Sequence, residues 1–173
     1  MRTYRAYSLA LVCSSTARQD TGSPGLPGVW IEGLPAMRAG AYTAAAMALI
    51  HTCYRITDID RSVAFYNALG FQEVGRLPIR DEAINVFMNQ PGDGDMPRLE
   101  LTYNFGVDSY EQGTAYGHIA ITAEDLDATL ARLAEQGIEP EKPPYTVREG
   151  GMRLCFVRDP DGYRIELVEM PRP

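Results

Sequence analysis

Histidine is almost missing from this chain: among 173 residues there are two, His51 and His118. Basic residues are also outnumbered, 16 Lys and Arg against 23 Asp and Glu, for a net charge of −7. That balance excludes nucleic acid as a partner, because phosphate binding needs a basic surface. The three cysteines, Cys13, Cys53 and Cys155, form no Cys-x-x-Cys pattern. A disulfide scaffold is therefore not expected, and a reducing, cytoplasmic setting is. No run approaches the roughly 18 consecutive apolar residues of a membrane span, so no membrane partner is expected. What remains is ordinary globular material, 45% apolar and 23% charged, sufficient for one domain or two small modules sharing a core.

Against that scarcity, the placement of the two histidines is informative. The segment His51-Thr52-Cys53-Tyr54-Arg55-Ile56-Thr57-Asp58-Ile59-Asp60 superposes without a gap on His118-Ile119-Ala120-Ile121-Thr122-Ala123-Glu124-Asp125-Leu126-Asp127. The register continues through Ser62/Thr129, Ala64/Ala131 and Gly70/Gly137, and Leu99-Glu100-Leu101 later matches Ile165-Glu166-Leu167. Each half thus offers one imidazole and one carboxylate. Two nitrogen and two oxygen donors related by a pseudo-twofold can enclose one divalent ion, with His51, Glu100, His118 and Glu166 as the ligands. Imidazole and carboxylate together suit Zn, Ni, Co, Mn or Fe.

Residues 1–46 differ from the rest. Arg2 and Arg5 precede a short apolar stretch interrupted by Tyr7 and Ser8, a poor secretory signal, and Thr21–Pro35 is rich in Gly and Pro. This segment reads as a flexible tail or an over-extended start, with Met37 and Met47 as internal alternatives, and the domain as residues 47–173. Within it, strands are expected at 50–57, 71–76, 83–89 and 97–104, with a helix from Asp58 to Gly70. The second half repeats the plan: a strand at 118–122, a helix from Asp125 to Gln136, and strands at 138–141, 152–158 and 163–169. Asp159-Pro160-Asp161-Gly162 makes the last hairpin turn. The expected architecture is α+β, two tandem βαβββ modules (48–104 and 117–170) forming a curved mixed sheet.

Strand alternation then places His51, Cys53 and Arg55 on one face, as it does Glu100, Thr102 and Asn104, and Glu166, Val168 and Met170. Four strand residues span about 13 Å, so Arg55 and Asn104 lie one small-molecule length from the ligands. Thr122 and Met170 take the equivalent places in the second half. A site symmetric at the metal and asymmetric around it suits a substrate with a charged handle. Cys53 has no activating base nearby and reads as wall packing, Cys155 as core, and Asp58 and Asp125 as helix caps.

His51-Thr52-x-x-Arg55, Asp58-x-Asp60-Arg61-Ser62-x-x-Phe65-Tyr66, Glu100-Leu101-Thr102-Tyr103-Asn104, Gly117-His118 and Asp159-Pro160-Asp161-Gly162-Tyr163-x-Ile165-Glu166 together resemble glyoxalase I (lactoylglutathione lyase), of the vicinal oxygen chelate superfamily. The similarity runs from about residue 48 to residue 169. The resemblance implies a homodimer with sites at the subunit interface, each drawing one His–Glu pair from each subunit. A His at the first ligand position looks like the subgroup activated by nickel or cobalt; the zinc-preferring subgroup usually carries Gln there.

The implied reaction isomerises the hemithioacetal of methylglyoxal and a small thiol to the S-lactoylthiol, detoxifying methylglyoxal, with Glu166 as mobile base and Glu100 as second choice. Arg55 and Asn104 match positions that hold glutathione in relatives. Glu149 stands where many relatives carry a lysine, which leaves room for a thiol other than glutathione. Two alternatives remain at this stage: another enzyme of the superfamily (an extradiol dioxygenase or a thiol transferase), or a metabolite-sequestering binding protein.

Overall fold

The computed structural model describes residues 48–170, so the readings placed on residues 1–46, and Cys13 with them, lie outside the described residues. The first module is β1 (Thr52–Ile56), α1 (Ile59–Ala68), β2 (Gln72–Ile79), β3 (Ala83–Asn89), a single 3₁₀ turn at Pro91–Asp93, and β4 (Leu99–Asn104). The second is β5 (Ile119–Ala123), α2 (Leu126–Ala134), β6 (Tyr145–Thr146), β7 (Arg153–Arg158) and β8 (Arg164–Glu169). The two sheets have the same topology, ordered β1-β4-β3-β2 and β5-β8-β7-β6. In each, the first strand runs parallel to the last and the other pairs are antiparallel.

The α+β class and the duplicated plan are as expected, with two refinements. The strands of one chain form two four-stranded sheets rather than a single sheet. The strand expected at 138–141 is absent, and a two-residue strand at Tyr145–Thr146 pairs with β7 in its place. Pro140, Pro143 and Pro144 explain the difference, since proline has no N–H to donate to a ladder. One ladder-like bond survives there, from Glu141 N to Phe156 O at 2.7 Å.

Both helices begin on an aspartate cap: the carboxylates of Asp58 and Asp125 accept from the N–H of Arg61 and Ala128, each at 2.9 Å. Their apolar stripes, Phe65, Tyr66 and Leu69 on α1 and Leu126 and Leu133 on α2, join one core with Leu101, Cys155, Ile165 and Leu167. The β7–β8 turn of the second module also grips the β1–α1 corner of the first. The Asp161 carboxylate accepts from Thr57 N (3.0 Å), Thr57 Oγ1 (2.6 Å) and Ser62 Oγ (3.3 Å). Asp159 lies behind it, accepting from Tyr66 Oη at 2.9 Å and from the backbone N–H of Asp161 and Tyr163. Burial pushes the Asp159 carboxyl up to about 6, although those three donors pull the other way. Tyr163 stacks on Tyr54 with ring centroids 4.3 Å apart. No helix among the described residues is long and apolar enough to cross a membrane.

Candidate metal centre

One face of each sheet packs on the core, and the other carries the chemistry. His51 stands just before β1, and the parallel register sets Cys53 beside Glu100 on β4. Its Nε2 reaches Glu100 Oε2 at 3.2 Å. In the second module the same parallel pairing sets Ala120 beside Glu166, and His118 Nε2 lies 3.1 Å from Glu166 Oε2. The side chains are 30% exposed for His51 and 40% for His118, 15% for Glu100 and 17% for Glu166, so both pairs open toward the surface.

The donors suit a divalent ion. Two ligands sharing one ion at about 2.1 Å each, in adjacent positions, stand about 3.0–3.4 Å apart. Both pairs have that spacing. In both pairs it is Nε2 that faces the carboxylate, while His51 Nδ1 is buried without a hydrogen-bond partner among the described residues. Among the described residues no group of three or more His, Cys, Asp or Glu side chains converges. One chain therefore offers two bidentate half-sites and does not bring all four sequence-predicted ligands together.

Each pair is flanked by an aromatic ring that sequence reasoning missed. Phe87 lies opposite Glu100 across β3–β4, and Phe156 opposite Glu166 across β7–β8. Phe87 sits 6.0 Å from the His51 ring at a tilt of 54°, and Phe156 sits 5.2 Å from the His118 ring, edge to face. Arg164, held by Glu141, covers Phe156 with its guanidinium carbon 3.9 Å from the ring centre. The signal was present as Val86-Phe87-Met88 and Cys155-Phe156-Val157, but without the β3 and β7 registers nothing tied these rings to the ligands.

The remaining sequence-predicted residues follow the strand alternation. Arg55 is exposed on β1; its backbone N–H donates to Tyr163 Oη at 3.2 Å, and among the described residues its guanidinium is in no hydrogen bond or ion pair. Asn104 Nδ2 donates to Tyr110 Oη at 2.8 Å. Cys53 Sγ is 3.3 Å from Thr102 Oγ1, and burial pushes its thiol up, which fits a wall residue better than a nucleophile. At the other end of β8 from Glu166, Met170 lines an open cleft with Met152, Gly150 and Gly151.

A family model described as Glyoxalase/Bleomycin resistance protein/Dioxygenase superfamily matches residues 48–167. A lactoylglutathione lyase of Haemophilus influenzae is 39% identical over 125 residues, covering 71% of this chain and 93% of the relative. One from Salmonella typhimurium is 37% identical with the same coverage. Among solved structures, glyoxalase I of Zea mays aligns with a TM-score of 0.66 at 32% identity, over 72% of this chain and 45% of that one. The trypanothione-dependent glyoxalase I of Leishmania major gives 0.60 at 37% identity, over 72% and 87%. With two half-sites at ligand spacing on a duplicated βαβββ frame, and relatives of this identity over nearly their whole length, the chain belongs to the Glyoxalase/Bleomycin resistance protein/Dioxygenase superfamily, in its lactoylglutathione lyase branch.

Proposed function

We propose that this chain is a lactoylglutathione lyase whose active sites each join a His51–Glu100 pair from one copy to a His118–Glu166 pair from a second. The observation that carries this reading is the twin His–Glu contact, 3.2 and 3.1 Å, on the open faces of two equivalent sheets. A divalent ion held by those four side chains supplies positive charge opposite the negative charge that develops on the substrate oxygens. Nickel or cobalt is favoured over zinc by the histidine at the first ligand position.

The residues divide the work. Glu166 takes the C1 proton of the hemithioacetal and returns it to C2, giving the 2-hydroxyacyl thioester. Only a proton moves, so no redox partner enters. Phe87 and Phe156 keep water from the reacting carbons. Arg55 and Asn104 hold the charged handle of the thiol. Glutathione is the thiol of first choice; the Leishmania relative's dependence on trypanothione and the acidic Glu149 make a panel of thiols the right assay. The unpaired Cys53 and Cys155 support a cytoplasmic location.

The test is methylglyoxal consumption with several thiols after metal removal and reconstitution. Chelation is expected to abolish turnover, nickel or cobalt to restore more than zinc, and Glu166→Gln to lower kcat by about two to four orders of magnitude. Inactivity with every metal and thiol, or full turnover by the Gln variant, contradicts the assignment.

A further inference from the structure

We infer that Asn85 and Thr102 are positioning residues that hold Glu100 still, and that their replacement by Leu154 and Val168 in the second module leaves Glu166 as the carboxylate that moves. The inference rests on the lyase reading above and explains how a duplicated frame yields two unlike glutamates. The registers fix the equivalence. Phe87 faces Glu100 and Asn85 faces Thr102, while Phe156 faces Glu166 and Leu154 faces Val168. The His contacts are the same in the two modules to within 0.1 Å, so they do not distinguish the carboxylates.

The neighbours do. Glu100 Oε1 accepts from Asn85 Nδ2 at 3.2 Å and from Thr102 Oγ1 at 3.1 Å, while Oε2 faces His51. Both oxygens are thus directed, one into a fork of two donors and one toward the ion site. Cys53, 3.3 Å from the Thr102 hydroxyl, closes the far side of this fork. Glu166 keeps the His118 contact at 3.1 Å, and among the described residues no other side chain donates to it. The positions that would donate carry Leu154 and Val168, which have nothing to offer. A carboxylate that leaves the ion, takes a proton and gives it back must turn about its own side-chain bonds, and Glu166 is released to do so. Glu100, tied at three points, is suited to stay.

Isosteric exchanges between Thr and Val test this with little risk to folding. Starting from full-length protein freed of metal, nickel affinity is measured by chelator competition for the wild type, Thr102→Val, Asn85→Leu/Thr102→Val and Thr102→Ser. Loss of the fork is expected to weaken nickel binding about tenfold, as removal of a group that orients a ligand typically does, and Ser, which keeps the hydroxyl, is expected to retain it. In the mirror experiment Val168→Thr gives Glu166 a donor and is expected to lower kcat about tenfold at unchanged KM. Equal nickel affinity in the wild type and the Asn85→Leu/Thr102→Val variant, or unchanged kcat in Val168→Thr, overturns the division of roles. A nickel-loaded wild type that turns over no hemithioacetal overturns the lyase reading instead, and the affinity comparison alone then decides the fork.

Discussion

At the scale of single residues, the chain separates groups that hold from groups that react by burial and by donors. Asp159 shows the first kind. It is 5% exposed, and burial lifts its carboxyl from the usual 3.8 to about 6. The folded protein therefore binds this proton more tightly than the unfolded chain does. Its contribution to stability is fully present below about pH 4 and is lost as pH rises to about 6, a loss of about 3 kcal/mol. Asp159→Asn removes that component and keeps an acceptor for the two backbone donors. The unfolding free energy of the variant relative to the wild type is expected to rise by about 2–3 kcal/mol between pH 4 and pH 7 in urea titrations; parallel curves would contradict it. The four candidate ligands were legible in the sequence because scarcity and duplication coincide: two histidines, each repeated with a glutamate. Asn85 was not legible, because its importance comes only from the β3–β4 register that sets it opposite Thr102.

At the scale of elements, local chemistry placed most boundaries. The aspartate caps, the helical stripes and the Gly closing each helix could be read directly, and both helices lie where expected. The strand at 138–141 could not survive three prolines within 140–144, whose missing donors outweigh the repeat that suggested it. Docking of the β7–β8 turn on the first module was also invisible, since Asp159-Pro160-Asp161-Gly162 reads as a turn without saying what it touches. In the fold, Asp161 accepts from the hydroxyl of the fully buried Ser62 and also from the backbone and hydroxyl of Thr57. Asp161→Ala is expected to cost about 3 kcal/mol, because it strips a charged acceptor from a buried donor. Asp58→Ala, which removes an exposed helix cap, is expected to cost about 1 kcal/mol. Denaturant midpoints of the two variants measure the order, and an Asp161 variant no weaker than the Asp58 variant would refute the docking role.

At the scale of the whole molecule, one chain does not by itself complete the four-ligand site proposed above. Its two His–Glu pairs lie on separate sheets, and among the described residues neither gathers a third ligand. Among the described residues, β1 and β5 are edge strands that each pair on one side only, and each histidine stands just before such a strand. Sequence repetition exposed the four donors and their division into one His–Glu pair per module; the split of the strands into two separate sheets came only from the fold. The central claim is that a working site takes one pair from each of two copies, and subunit mixing tests it most directly. One variant carries His51→Ala and Glu100→Ala, the other His118→Ala and Glu166→Ala, and each alone is expected to be inactive. If sites are shared, a mixed dimer has one intact site and one doubly damaged site, so refolding an equal mixture is expected to restore about one quarter of wild-type activity. A mixture as inactive as its components would contradict sharing between copies.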